Sequence, residues 1–359
     1  MTIGNPGLEF SLLVRCCHWN FASGADQSLL DIPTDLDWGF VVALSRRHRV
    51  QGLVWNAVGK HADQLPDHAR SALSSDARSI AAANLGIAAE CHALQQLFNQ
   101  AKLTLLFVKG LSVGALAYRS PMLKMGWDID LLVDPHDLSA SAKVLIERGY
   151  APRLPSRLAR LHAWHGRRKE SVWHRDQSFY VELHTRLADN RRLIPSIDVH
   201  SPRQLVEIAP AMRLPTLAED ELFAYLAVHG ASSAWFRLKW ISDFAALLDG
   251  KSGQEIDRLY RRSQELGAGR SAGQALLLAD TLFKSLAPVP ELRQQLVADP
   301  PTRLLNSAAL RMLTRGLRDP TDRPFGTLAI HWTQLLLRPE LGFKLSELWR
   351  QVGNVFARA

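Results

Sequence analysis

The chain has 359 residues, of which 47% are apolar and 22% are charged. This length and composition allow two or three packed units and exclude disorder as a description of the whole chain. The longest stretch without a charged residue, 222–236, has only fifteen residues and contains a histidine and two serines, so we expect no transmembrane segment.

The cysteine content and the first residues of the chain indicate a reducing compartment. Cys16, Cys17 and Cys91 form neither a disulfide framework nor a CxxC metal pair. Residues 1–13 lack a basic segment followed by an apolar core, and so carry no signal for export. We therefore expect a cytoplasmic protein with buried thiols.

Positive charge is concentrated in the middle and the end of the chain. The net charge is +8, and residues 1–103 hold 8 basic against 9 acidic side chains, whereas 104–190 hold 13 against 9. The remaining residues hold 22 against 17. Anionic partners such as nucleotides, RNA or acidic peptides should therefore bind outside the first hundred residues.

Helical periodicity dominates the first part of the chain. Between Asp37 and Gln100, apolar residues recur at steps of three and four, which predicts helices. Residues 103–108 (LTLLFV) then break this pattern with a short apolar run that is typical of a strand buried on both faces. Lys109 and Gly110 end this strand, and a helix is predicted over 111–118.

A second apolar run, residues 127–133, predicts the next strand. Asp134 and Pro135 follow it in the positions of a helix N-cap and a first helical residue, and the helix should end at Gly149. Residues 171–174 and 179–184 predict two further strands, and the polar residues 175–178 between them indicate a hairpin.

From Ala218 onward the pattern is again helical, with prolines as punctuation. The predicted fold class is α+β, in which a small mixed sheet is flanked by helical regions on both sides. We predict an N-terminal helical region over 1–102, an α/β core over 103–190 and a C-terminal helical region over 191–359.

Acidic residues interrupt two of the predicted strands. Asp128 and Asp130 are two residues apart, so their carboxylates share one face of a strand. Glu182, between Val181 and Leu183, places a third carboxylate where packing favours an aliphatic side chain. Close carboxylates on apolar strands resist ionisation unless a cation is present, and Mg²⁺ prefers carboxylates, water and phosphate oxygens. Three such carboxylates can hold two metal ions for in-line attack at phosphorus.

These motifs together resemble a known family. Lys109-Gly110 after a buried strand, Tyr118 in the next helix, Asp128-Ile129-Asp130, Gly149-Tyr150 and Val181-Glu182-Leu183-His184 are similar to the bacterial nucleotidyltransferase family of the polymerase-β-like superfamily. The resemblance covers residues 104–184, and a weaker similarity continues into the helices after Ala218.

The resemblance implies a nucleotidyltransferase core. Asp128 and Asp130 would bind the metal ion that carries a nucleoside triphosphate such as ATP, and Glu182 would complete a second metal site. The expected cofactor is two Mg²⁺ ions, with Mn²⁺ as the alternative. Nucleotide-binding residues are expected at Lys109, Gly110, Ser112, Lys124 and His184.

Three residues depart from the pattern of the superfamily. Leu111 separates Gly110 from Ser112, where relatives have an adjacent Gly-Ser pair, although backbone amides at the start of the helix can still bind phosphate. Trp127 stands in place of a small or polar residue, and Lys124 replaces a common arginine, which keeps the charge but loses the bidentate geometry.

The acceptor of the nucleotidyl group is left open by the sequence. One hypothesis is a hydroxyl of a protein, peptide or small molecule, and another is a tRNA end, as for toxins on this fold. Residues 153–175 carry seven basic side chains and one acid, with tryptophans among them. This composition fits an RNA-binding segment and a loop with ordinary surface charge equally well. A third hypothesis is an inactive nucleotide-binding scaffold.

Overall fold

The structure, a computed structural model, describes residues 7–19, 30–176, 179–323 and 325–356. The chain divides into two compact units. One comprises the chain up to Arg78 together with Leu226 onward, and the other comprises Ser79–Tyr225. Among the described residues, no helix is both long enough and apolar enough to cross a bilayer.

The first unit is helical. Its elements are α1 (Leu8–Cys16), α2 (Trp38–His48), α3 (Gln51–Val58), the start of α4 (Asp67–Gln100), the end of α8 (Glu219–Ser232), α9 (Leu238–Leu248), α10 (Gly253–Glu265), α11 (Arg270–Phe283), α12 (Pro290–Ala298), α13 (Pro300–Leu313), α14 (Leu328–Gln334) and α15 (Leu341–Phe356). Asp37 caps α2 by accepting a hydrogen bond from the Phe40 amide, and Ser252 forms a capping box with Glu255 at the start of α10. Apolar side chains such as Leu13, Val54, Phe244 and Leu276 form the core.

The second unit is built on a five-stranded mixed sheet, which confirms the predicted fold class. Its elements are β1 (Leu105–Phe107), α5 (Leu111–Tyr118), β2 (Asp128–Val133), α6 (Leu138–Glu147), β3 (Ala151–Leu154), α7 (Leu161–Arg167), β4 (Glu170–Arg175) and β5 (Phe179–His184). The strand order is β1-β2-β5-β4-β3. Only β2 and β5 run parallel to each other, and the other neighbouring pairs are antiparallel.

The two faces of this sheet have different surroundings. Ile129, Leu131, Val181 and Leu183 lie in a core cluster with side chains of α4 and α6, so this face is covered by helices. Because side chains alternate along a strand, Asp130, Glu182 and His184 lie on the opposite face. The acids therefore occupy one face and the apolar core the other.

The predicted turns and helix ends between the strands are confirmed. Gly110 is the N-cap residue of α5 and has a φ of 66°, a conformation that glycine adopts without strain. The Asp134 carboxylate accepts a hydrogen bond from the His136 amide, and Pro135 begins a 3₁₀ turn that leads into α6. Gly149, with a φ of 93°, follows the end of α6. The hairpin between β4 and β5 is present, although its residues 177 and 178 lie outside the described part of the chain.

Three strands were absent from the sequence interpretation. β6 (Arg203–Ala209) and β7 (Met212–Leu217) form an antiparallel hairpin inside the region assigned as helical, 191–359. Pro215 within β7 argues against a strand by sequence pattern, and the turn uses Ala211 at a φ of 64° rather than glycine or asparagine. β3 is four residues long, contains Pro152 and is mostly exposed, so it shows no apolar alternation.

Candidate active site

The parallel pairing of β2 with β5 positions the carboxylates. Asp130 lies directly opposite Glu182, Asp128 opposite Tyr180, and Leu132 opposite His184. Asp130 and Glu182 therefore lie side by side on one sheet face, although 52 residues separate them along the chain. Asp130 is buried and the side chain of Glu182 is 23% exposed, so the pair lies at the floor of a site that solvent can still reach.

Lys109 lies between these two carboxylates. Its Nζ is 2.6 Å from Asp130 Oδ1 and 3.8 Å from Glu182 Oε2. Burial alone would lower the pKa of Lys109, but Asp130 and the other nearby anions outweigh it and raise that pKa well above its ordinary value. Burial likewise would raise the pKa of Asp130, but Lys109 and His184 hold it well below its usual range. The lysine is therefore an ammonium paired with an ionised aspartate.

His184 lies at the centre of the same group. Its Nε2 is 3.0 Å from Asp130 Oδ1 and 3.6 Å from Glu182 Oε2, and the side chain is fully buried. Burial and Lys169 both lower the pKa of His184, but the surrounding carboxylates, with Glu170 the largest contributor, raise it overall. His184, expected from the resemblance as a nucleotide-binding residue, thus contacts the acids directly.

A second ion pair adjoins His184 from β4. Glu170 lies opposite His184 in the antiparallel pairing, and Glu170 Oε2 is 3.3 Å from His184 Nδ1. Lys169 Nζ is 2.6 Å from the same carboxylate oxygen. Burial would raise the pKa of Glu170, yet Lys169 outweighs it and brings that pKa to about 2. The imidazole is therefore held between two ionised acids, Asp130 and Glu170.

Glu182 differs from its neighbours in its protonation behaviour. Its burial raises the pKa, and the negative charges of Asp130 and Glu170 raise it further, whereas Lys109 lowers it. Of the carboxyl groups around His184, Glu182 is thus the one that takes up a proton most readily. A carboxylate in this state can accept a proton from an adjacent hydroxyl.

Asp128 lies at the first residue of β2 and outside the tight group. It is half-buried, next to the exposed Trp127, and its negative charge contributes to the raised pKa of Lys109. The predicted metal role of Asp128 stays a prediction. Its strand neighbour Tyr180 lies under the guanidinium of Arg153, whose Cζ is 5.6 Å from the ring centroid.

The remaining predicted nucleotide-binding residues surround the turn between β1 and α5. Gly110 places the first turn of α5 next to Lys109, and the Gly114 amide donates to the Gly110 carbonyl. Ser112 is fully buried, and its hydroxyl has no hydrogen-bond partner among the described atoms. Lys124 belongs to a turn that Asn84 holds by donating hydrogen bonds to the Pro121 and Lys124 carbonyls. Their roles in nucleotide binding remain predictions.

The donors present fit a divalent cation. One ligand atom each from Asp130, Glu182 and His184 lie within 4.8 Å of one another. Carboxylate oxygens suit Mg²⁺ and Mn²⁺, whereas an imidazole nitrogen favours a transition ion over Mg²⁺. The predicted metal ligands were Asp128, Asp130 and Glu182. In the structure, the third donor close to Asp130 and Glu182 is His184 and not Asp128. Lys109 neutralises the same carboxylates, so a bound cation and this ammonium would compete for them.

Three participants were missed by sequence reasoning. Glu170 and Lys169 lie in the basic segment 153–175, and Tyr225 is a fully buried phenol close enough to influence Lys109. The signal for Glu170 was available, because a hairpin centred between Arg175 and Phe179 pairs residue 170 with residue 184. Tyr225 had no such signal, since its approach to the site depends on tertiary packing.

One family profile matches most of the chain. The profile of a family described as uncharacterised nucleotidyltransferase matches residues 34–284, well over half of the chain. No curated protein and no solved structure matches it. The predicted enzyme class, with a nucleoside triphosphate as substrate, is thereby confirmed. With acids at the predicted strand positions and a family profile across the sheet, the chain belongs to this nucleotidyltransferase family.

Proposed function

We propose that the protein is a metal-dependent enzyme of the polymerase-β-like type, which transfers a nucleoside monophosphate to a hydroxyl of a protein, peptide or small molecule. The observation that carries this proposal is the register of β2 and β5, which sets Asp130 opposite Glu182 on the sheet face opposite to the apolar core. The family match supports nucleotidyl transfer, and the acceptor is the part that goes beyond it.

The reaction forms one bond at phosphorus and breaks another. The acceptor oxygen attacks the α-phosphorus of the triphosphate, the bond to the bridging oxygen breaks, and pyrophosphate leaves. A divalent cation at Asp130, Glu182 and His184 would supply charge neutralisation for the phosphates. We propose Mg²⁺ or Mn²⁺, with Asp128 available for a second ion.

The protein's own residues position the reactants. Lys109 and the amides at Gly110 lie beside the carboxylates, where a lysine and a helix N-terminus can bind triphosphate oxygens. The Glu182 carboxylate, opposite Asp130 on the same sheet face, can accept the proton of the attacking hydroxyl. Catalysis would then depend mainly on orientation and on neutralisation of charge.

The test is nucleotide transfer with labelled triphosphates. Each of the four labelled triphosphates is incubated with the protein, Mg²⁺ or Mn²⁺, and cell lysate separated into RNA, protein and small-molecule fractions. We expect label in the protein or small-molecule fraction, and at least about a hundredfold less with Asp130→Asn or Glu182→Gln. Glu147→Gln, on an exposed face of α6, is the matched control and should retain full activity.

Several outcomes contradict the proposal. Transfer that survives both Asp130→Asn and Glu182→Gln, or that persists after complete removal of divalent ions with EDTA, excludes the proposed site. Glu182 is more exposed than Asp130, so Glu182→Gln keeps the test valid even where Asp130→Asn reduces the folded fraction.

An RNA acceptor is the second candidate, and a basic surface favours it. Arg153, Arg157, Arg160 and Arg167 are exposed, and within the described part of the chain none of them has an ion-pair partner. The segment 153–175 is not the charged loop considered as the alternative to an RNA-binding surface, since it contains the end of β3, α7 and β4. Two other residues of segment 153–175 contribute to packing of the fold and not to a free surface. Trp173 is fully buried, and Arg175 forms an ion pair with Glu90.

RNA binding has a distinct signature. We expect tRNA affinity to fall steeply with salt, and the slope to become shallower when Arg157, Arg160 and Arg167 are replaced by glutamine. A matched variant with three glutamines at exposed arginines of the helical unit, such as Arg303, should keep the original slope. Absence of binding at low ionic strength argues against this candidate.

A further inference from the structure

A cavity of about 390 Å³ lies in the second unit, apart from the carboxylate group. It is bordered by the end of β5, the start of α6, α7 and the segment 185–197. His165 of α7 lines it and contacts Ser171 Oγ at 3.0 Å, and Ser171 lies on the sheet face opposite to Glu170 and His184. The sheet therefore separates this cavity from the candidate active site.

The polar groups of the cavity are cationic or neutral. Arg186, Arg191, His162, His165 and Thr185 line it, and none of the described residues in its wall is acidic. Within the described part of the chain, neither arginine forms an ion pair within 4 Å of a carboxylate oxygen. The wall thus carries positive charge without an equal negative charge in contact with it.

Both arginines are held in place by the backbone of α7. Arg186 Nη1 donates to the His165 carbonyl at 2.6 Å, and Arg191 Nη2 donates to the Gly166 carbonyl at 2.8 Å. A guanidinium has five N–H groups, so each arginine keeps further donors for a ligand. Arg186 Nε is buried and has no hydrogen-bond partner among the described atoms. A buried donor without an acceptor costs free energy that a bound anion would recover.

The lowered pKa of His165 reflects its burial and the positive charge of the cavity wall. Burial lowers the pKa of His165 to about 4, and the positive charge of Arg186 contributes to that lowering. Asp189 is an acid near Arg186, but among the described residues it forms no ion pair with Arg186 or Arg191. The positive potential at this place is therefore incompletely neutralised by the protein itself.

The rest of the wall is apolar. Leu138, Leu187, Leu193, Ile194 and Ile197 are buried and line the cavity. The volume falls within the range of small-molecule sites, in which an apolar lining carries a few placed polar groups. An inorganic anion alone would leave this apolar surface without a partner.

We propose that this cavity is a binding site for a small amphipathic anion, whose phosphate or carboxylate group pairs with Arg186 and Arg191 and whose apolar body packs against the leucine and isoleucine wall. The site is separate from the nucleotidyl-transfer site and does not depend on the proposed function.

Calorimetric titration of the full chain with octyl phosphate, octanoate and octanol tests the proposal. We expect saturable binding of at least one anion to one site, and binding of octanol at least about tenfold weaker, because it lacks the charge. Preference between the two anions distinguishes a phosphate from a carboxylate ligand. Equal affinity for octanol and the anions, or no binding of either anion, overturns the proposal.

Variants locate the site. Arg191→Gln and Arg186→Gln should each weaken anion binding about tenfold, and Ala188→Phe should abolish it by filling the cavity. Arg303→Gln, an exposed position on α13, is the matched control and should bind as the wild type does. Arg191 is exposed, so its variant decides the test if Arg186→Gln fails to fold. Unchanged affinity in both Arg191→Gln and Ala188→Phe, with normal circular dichroism, also overturns it.

Discussion

Lys109 provides the positive charge that allows the carboxylates of Asp130 and Glu182 to lie close to each other. Its Nζ lies 2.6 Å from Asp130, at a distance typical of a direct ion pair. An unpaired buried carboxylate costs free energy, so by burial alone Asp130→Asn is expected to leave the fold intact or more stable. The structure changes that expectation, because Asp130→Asn would leave the buried ammonium of Lys109 without its main partner, which is destabilising.

The competition between Lys109 and a divalent ion can be measured directly. Lys109→Met should lower the metal-free thermal midpoint, since removal of one partner of a buried pair costs about 3–5 kcal/mol. Mn²⁺ should then raise the midpoint more in this variant than in the wild type, because the carboxylates lack their counter-ion. Lys143→Met, on the exposed face of α6, is the control for loss of a lysine. Equal Mn²⁺ shifts in Lys109→Met and wild type would show that the lysine and the metal do not share a site.

His184 should make stability depend on pH above neutrality. Its pKa in the folded protein is raised above 6.5 by the nearby carboxylates, so its contribution is complete below that pH and is lost as pH rises through the folded value. With EDTA present, we expect the free energy of unfolding in urea to fall as the pH rises above about 6.5. The fall should be smaller in His184→Gln. Parallel pH profiles of the two proteins would exclude this role for His184.

At the scale of elements, Glu90 connects α4 to the sheet. Its buried carboxylate accepts hydrogen bonds from Arg175 at 2.8 and 2.9 Å, from Arg148 at 2.9 and 3.2 Å and from the Tyr150 hydroxyl at 3.0 Å. Burial would raise the pKa of Glu90, but these donors outweigh it and lower the pKa. One carboxylate on α4 thus joins this helix to the end of α6 and to β4, and α4 and α6 cover the apolar face opposite to the acids.

Loss of this charge should destabilise the second unit. Glu90→Gln leaves two guanidinium groups without their anion, and we expect a decrease of about 3 kcal/mol in the free energy of unfolding. Urea denaturation followed by circular dichroism measures it. The exposed pair of Lys143 with Glu147 offers the control, because Glu147→Gln should cost less than about 1 kcal/mol. Similar costs for the two variants would show that the buried network adds little to stability.

At the scale of the whole molecule, the net charge of +8 makes the protein sensitive to acid. Several carboxyl groups, among them Asp130, Glu90, Asp134 and Glu170, have pKa values that their partners hold below the ordinary ones. Their contribution to stability is present above the unfolded pKa and is lost as pH falls through the folded value. Protonation also increases the positive charge and hence the repulsion within the chain.

We therefore expect the free energy of unfolding to decrease from about pH 5 to about pH 3. Urea titrations at stepped pH measure this decrease, and Glu90→Gln should show a smaller one because it lacks one of the contributing groups. A free energy of unfolding that stays constant down to pH 3 would contradict the proposed ion pairs.

Local rules predicted the elements that carry the site. Three of these features have the expected conformation: strand β2, the cap at Asp134 and the turn at Gly110. Each of them depends on residues that are close together in the chain. The hairpin of β6 and β7 was missed for the same reason, because Pro215 and a turn without glycine hide it from local patterns.

The sequence by itself determined that β2 carries Asp130 and β5 carries Glu182, and on which face of its strand each of these two acids lies, since alternation along a strand is a local property. Only the tertiary structure decided that Lys109 and His184 lie against Asp130, that Asp128 stays outside this group, and that two arginines line a cavity beyond the sheet. Those contacts depend on the order and register of strands that are distant in the chain. Burial and long-range packing select that order, and no pattern of neighbouring residues encodes it.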